Sequence, residues 1–142
     1  MNYSKSELLK QLYAMETKTY SVKHPEDVVP VLLKYKNKQQ EHFIVITLNG
    51  ASAIIKTRVI TKGLLNRALV HPREVFRPAI ADNAMAIIIA HNHPSGNSSP
   101  SPEDKNITER LKQAGDVLGI QVLDHIIISK SGHYSFVAEG NF

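Results

Sequence analysis

Two short stretches of this chain carry side chains suited to holding a metal ion: His91-Asn92-His93-Pro94-Ser95-Gly96 and Pro100-Ser101-Pro102-Glu103-Asp104. Side chains two apart on a strand share a face, so His91 and His93 present both imidazoles to one side, with Cβ atoms about 6–7 Å apart. Two ring nitrogens at about 2.0–2.1 Å from one zinc ion bridge that gap. Asn92 points the other way and is expected to help fix the strand end. Pro94 and Gly96 then break the strand and let the chain turn. Ser101 is placed to cap the next helix, Pro102 to take its first position and Asp104 its third, from which a carboxylate reaches the same ion. Three protein ligands leave a fourth position open, the pattern of a catalytic zinc, which acidifies water and polarises a carbonyl. Each piece also has a plain structural reading. Ser-x-x-Asp is an ordinary capping-box variant, and paired histidines occur as polar residues at strand ends. Capping and ligation are compatible, and the pieces together favour the metal site.

The composition narrows the chemistry further. The chain has 142 residues and no cysteine, so disulfides and thiolate–metal sites are excluded and any ligand is His, Asp or Glu. A hydrophobic share of 42% and a charged share of 21% suit one globular domain. The first residues lack the apolar stretch of a signal peptide, and the longest apolar run, Ala84 to Ala90, is too short to span a bilayer. A soluble, cytoplasmic protein with no membrane association is expected. The formal charge of +4 permits contact with nucleic acid without demanding it. The lysines (Lys10, Lys34, Lys36, Lys38, Lys62, Lys112) are scattered, which reads as a solvated surface.

The elements that must position the site follow from periodicity and punctuation. Ser4 to Thr17 reads as a short N-terminal helix and Pro25 to Tyr35 as a second, with Pro30 liable to shorten or kink it. Glu41 to Leu48 reads as a strand, Asn49-Gly50 as a tight turn and Ala53 to Ile60 as the returning strand. Pro72 to Ala81 has helical spacing, with Pro78 inside it liable to kink or break the helix. Ala84 to Ala90 reads as a central strand buried on both faces. Pro102 to Leu118 is the clearest helix, with Ile107, Leu111, Ala114 and Leu118 on one stripe and Gly119 to end it. Val122 to Ser129 and Tyr134 to Ala138 complete the set as strands. This order predicts an α/β fold, a mixed β-sheet sandwiched by helices.

The segment HNHPSGNSSPSPED resembles the JAMM motif: His-x-His, seven positions from Pro94 to Pro100, then Ser-x-x-Asp. It is most similar to the RadC-type branch of the JAB/MPN metalloprotease superfamily. VHPREVF at Val70 to Phe76, AIIIAHNHPSG, LDHIII at Leu123 to Ile128 and Ser135-Phe136 agree with it, so that the likeness runs from about Tyr20 to the C-terminus. The resemblance implies an MPN-like fold and a zinc-dependent hydrolase, with His91, His93 and Asp104 as ligands to Zn2+ and Ser101 as hydrogen-bond donor to the oxyanion. It also implies an upstream Glu as general base, passing a proton from water to the leaving amine. The superfamily places that Glu on an early strand. Glu41 matches and is preferred. Glu74 competes, at a predicted helix start where the dipole favours an acidic residue anyway. His125, after Asp124, is open to two readings, a partner of a metal ligand or a buried structural histidine, and the second is preferred. Arg73 either pairs with a carboxylate or positions substrate. His24, His42, His71 and His133 lack ligand-like spacing and are read as structural or exposed.

Two parts are expected, an N-terminal helical extension over residues 1–19 and a RadC-like JAB/MPN domain over 20–142. Longer RadC-type proteins carry a helix-hairpin-helix region that contacts DNA. The segment before Tyr20 is too short for one, which weakens a DNA-repair role. The leading expectation is a metallopeptidase or isopeptidase-like hydrolase acting on a protein or peptide. The alternative is a nucleic-acid-binding module linked to DNA repair or mobile elements, motivated by a pI near 9.3 and the family association. A metal-dependent nuclease ranks last, because phosphoryl-transfer sites with two metals need more carboxylates. The Glu41 to Ile60 hairpin offers an edge that a second copy could pair with.

Overall fold

The two most apolar strand-forming runs of the chain lie side by side in the middle of one sheet. The computed structural model describes residues 4–9, 20–63 and 70–142. Five strands are ordered β2-β1-β3-β4-β5: β1 His42–Leu48, β2 Ile54–Lys62, β3 Ala86–Asn92, β4 Gln121–Ser129 and β5 Gly132–Ser135. β3 runs parallel to β4, and every other neighbouring pair is antiparallel. The expected mixed α/β architecture is therefore the observed one, consistent with a JAB/MPN-like fold, and the central strand is the expected apolar run.

Both middle strands are buried on both faces, and their alternation divides the core in two. Phe43 and Val45 of β1 and Ile87 and Ile89 of β3 meet Val75, Phe76, Ala79, Ile107 and Leu111 from α2 (Pro72–Ala81) and α3 (Pro102–Leu118). Ile44, Ile46, Leu48, Ile88 and Ala90 meet Val28, Leu32 and Tyr35 on the other face. This second cover is a broken helix, as Pro30 implied. Pro25–Val28 and Leu33–Tyr35 are 3-10 turns around a short α1, Val29–Leu32.

Several expected boundaries move. β3 begins at Ala86 and carries strand geometry through His91 and Asn92, two residues beyond the apolar run. β1 begins at His42, which leaves Glu41 just ahead of the strand, and β2 runs on to Lys62. α2 keeps its expected bounds, Pro72 to Ala81, and runs through Pro78 without breaking. The carbonyl that Pro78 leaves without a partner belongs to Glu74 on the exposed side of the helix, where water can donate to it. The last strand ends at Ser135, where a strand had been expected to Ala138. The Asp124 carboxylate accepts from Ser135 Oγ and from the Val137 N–H, and this pulls residues 136–140 into turns. Of the expected N-terminal helix, residues 5–9 are helical with Leu8 and Leu9 exposed, and its remainder lies outside the described residues. Among the described residues, no helix is long and apolar enough to cross a membrane.

Candidate metal centre

β3 delivers His91 to its end with the ring on the face that α3 covers, since His91 continues the alternation Ile87, Ile89. His93 follows just past the strand, held in line by its N–H to the Ile128 carbonyl. Asn92 points to the opposite face, as expected. Its Oδ1 accepts from the His42 N–H at 2.6 Å, and its amide donates to the carbonyls of Lys38 and Gln40. This clamps the approach to β1, and with it Glu41, against the end of β3.

α3 brings the carboxylate. Ser101 is its N-cap, Pro102 its first residue and Asp104 its third. The capping box is complete: the Asp104 N–H donates to Ser101 Oγ at 3.1 Å and the Ser101 N–H donates to Asp104 Oδ2 at 2.8 Å. The same carboxylate faces the imidazoles, with His91 Nε2 3.1 Å from Oδ1 and His93 Nε2 3.1 Å from Oδ2. Capping and convergence coexist in one residue.

The candidate ligand atoms of His91, His93 and Asp104 all lie within 4.8 Å of one another, and the two Nε2 atoms are 2.9 Å apart. Tetrahedral ligands at about 2.0–2.1 Å from zinc would sit about 3.3–3.4 Å apart, so a small outward shift admits an ion. His93 Nδ1 lies 2.7 Å from the Asn97 carbonyl, which only accepts, so Nδ1 carries a proton and Nε2 is the nitrogen left facing inward. Two imidazoles and a carboxylate aimed at one point form a donor set that suits a borderline divalent cation.

The electrostatics agree. Burial alone would raise the Asp104 carboxyl, but hydrogen bonds from His91, His93 and the Ser101 N–H hold it far below the usual carboxylate range. Burial alone would lower His93, but the Asp104 carboxylate and the Asn97 carbonyl outweigh it and raise the ring, with the Glu41 charge adding to the effect. Complete enclosure, with the neighbouring His91, drives His125 well below its ordinary value.

A cleft of about 600 Å³ opens onto this point. Gln39, Gln40, Glu41, Gly63, His93, Pro94, Ser95, Ser101 and Asp104 line it. Glu41 and Ser101 thus share one cavity with two of the candidate ligands. Glu74 does not line it. It lies exposed on α2 beside Arg73, 3.8 Å from that guanidinium. His125 is fully buried and 2.7 Å from His91 Nδ1. The buried structural histidine and the partner of a candidate ligand are therefore the same residue. His42 is buried, with Nδ1 on the Gln40 carbonyl, and His133 meets Glu26 at the surface. Thr108 was not anticipated. It stands one turn below Asp104 on α3 and touches His125. Its i+4 spacing from Asp104 was the available signal.

Comparison with known proteins finds matches over most of the chain. The family model of the RadC-like JAB domain matches residues 22–141. A UPF0758 protein of Staphylococcus haemolyticus is 47% identical over 138 residues, which is 96% of this chain and 60% of that protein. A UPF0758 protein of Methanospirillum hungatei is 52% identical over 117 residues, covering 81% of this chain and 52% of its own length. One from Staphylococcus epidermidis is 46% identical over 122 residues, covering 85% and 54%. The chain thus spans between half and about three-fifths of the length of these curated relatives.

Proposed function

The chain belongs to the RadC-like JAB domain family, and on that premise we propose that it is a zinc-dependent hydrolase of amide bonds in a protein or peptide substrate. The observation that carries this reading is the convergence of His91, His93 and Asp104 within 4.8 Å at the wall of a cleft that Glu41 and Ser101 also line. A zinc ion held by these three residues would supply Lewis acidity, acidifying a water and polarising the scissile carbonyl. In this proposal Glu41 takes the proton from the attacking water and hands it to the leaving amine. Ser101 Oγ accepts the Asp104 N–H, which leaves its own O–H to donate to the developing oxyanion. Gln39, Gln40, Pro94 and Ser95 also line the cleft, and in this proposal an extended peptide lies along them.

The test is a peptide-library screen with zinc-loaded protein, beside Glu41→Gln. Loss of a general base costs about 10²–10⁴ in turnover, with zinc content unchanged. A library left intact by the zinc-loaded chain while a control peptidase cleaves it would overturn the proposal. Undiminished cleavage by Glu41→Gln would remove Glu41 from the base role.

A further inference from the structure

We infer that Thr108 and His125 are positioning residues that lock His91 in the tautomer with its proton on Nδ1, so that its Nε2 lone pair faces the metal position. The inference rests on the metal-site reading above and extends it beyond the three ligands.

The proton order follows from one acceptor that cannot donate. Thr108 Oγ1 lies 2.7 Å from the Asp104 main-chain carbonyl, so the single hydroxyl proton of Thr108 points there. The same oxygen lies 2.5 Å from His125 Nδ1 and can now only accept, so His125 carries its proton on Nδ1. A neutral imidazole protonated on Nδ1 has a bare Nε2. His125 Nε2 is 2.7 Å from His91 Nδ1 and must accept from it. His91 Nδ1 therefore bears a proton, and Nε2 is the nitrogen directed at His93 Nε2 and Asp104 Oδ1, where a metal would take its lone pair. The chain of three hydrogen bonds starts at the backbone of one candidate ligand and ends on the ring of another.

The surroundings keep this order in place. His125 is wholly buried, stacked on Phe136 at 4.8 Å with planes 6° apart and met edge-on by Phe43 at 6.0 Å. No room is left for the ring to turn or for water to compete. The residue reaches this face because of a β-bulge. β3 advances from Ile87 to Ile89 while β4 advances from Val122 to His125, one residue more. The extra residue inverts the alternation of β4 and puts His125 on the α3 side, beside Ile89 and Thr108. The Asp124 carboxylate accepts the His125 N–H at 2.7 Å and holds the bulge at that point.

Histidine ring 15N NMR on metal-free protein reads the tautomers directly, and competition with a chromophoric chelator reads zinc affinity. In the parent and in Thr108→Ser, which keeps the hydroxyl, His91 and His125 should both be protonated on Nδ1. Thr108→Val removes the acceptor for His125. His91 should then populate the Nε2-protonated form, and zinc affinity should fall about 10–100-fold, with Thr108→Ser close to the parent. Thr108→Ala, which adds no branch to the packed site, gives the same reading if the valine variant does not fold. A metal-free parent in which His91 carries no proton on Nδ1 would overturn the inference, as would a Thr108→Val or Thr108→Ala protein that keeps both the parent tautomer and the parent affinity. Because the tautomers are read without metal, a parent that binds no zinc would defeat the metal reading alone, and the spectra would still decide the proton order.

Discussion

Two carboxylates, the half-buried Asp82 and the buried Asp104, stand near opposite ends of the same pair of central strands, and both are held below the ordinary carboxylate range. Asp82, just after α2, meets Arg58 of β2 through two bonds of 2.6 Å and accepts from Thr47 of β1 at 2.8 Å. Asp104 meets two imidazoles and its own helix cap. The difference lies in the partner. A guanidinium is always charged and matches a carboxylate fork, so the Asp82 cluster is electrically complete. Imidazoles carry a charge only when protonated, and those of His91 and His93 turn their Nε2 atoms toward one another and toward Asp104, a donor set that a cation between them would complete. One end of the sheet is a brace. The other is a candidate site.

The largest expected contrast is in metal content. Elemental mass spectrometry of zinc-loaded parent should give about one zinc per chain, and His91→Ala should give none. Asp82→Ala should keep its zinc and instead lose about 1–3 kcal/mol of stability in urea unfolding, because Arg58 loses both bonds to its carboxylate and Thr47 keeps only the longer contact to the Lys56 carbonyl. Zinc retained in His91→Ala, or lost in Asp82→Ala, would collapse the distinction between the two ends.

A smaller effect tests how α3 is seated under the site. A Cβ on Gly115 would fall inside contact distance of the Ile120 carbonyl oxygen and press on Val122 and Phe76. Gly115→Ala should therefore cost about 1–3 kcal/mol in urea unfolding. If it leaves stability unchanged, the helix has slack that the packing does not suggest, and Asp104 is held by its cap rather than by the seat of α3.

The smallest effect is in the acid limb. The Arg58 guanidinium, with the Thr47 hydroxyl, lowers the Asp82 carboxyl against the opposing pull of desolvation. A carboxyl lowered on folding stabilises the protein fully above its unfolded value, near 3.9. That contribution drains away as pH falls from there toward the folded value. Metal-free Asp82→Asn should consequently lose less stability than the parent between about pH 4 and pH 2, measured by urea midpoints. Parallel acid limbs would mean that the bidentate pair adds nothing at that end.

Much of this was legible before the fold. The candidate ligands are close in sequence, so strand periodicity and a helix cap suffice to bring His91, His93 and Asp104 together. α3 matches its expected bounds because its cap, stripe and terminal glycine are all local. Boundaries at Glu41, Asn92 and Ala138 were less legible, since they depend on hydrogen bonds to distant residues: Asn92 to the residues before β1, Asp124 to those after β5. Between Glu41 and Glu74 the sequence favours one without placing either, and only the fold puts Glu41 on the cleft wall and Glu74 on the far face of α2.

By itself, then, the sequence determined which side chains can converge within a few residues of one strand end, the absence of thiolate chemistry and the mixed α/β order of elements. These rest on backbone geometry with a fixed period, which reads from residue to residue. The tertiary structure alone decided what lies behind the ligands. An extra residue in β4 leaves no mark in composition or spacing, yet it turns His125 toward α3 and sets it between Thr108 and His91. Which face a strand residue meets depends on the register with its neighbour, and register is a property of two segments packed together.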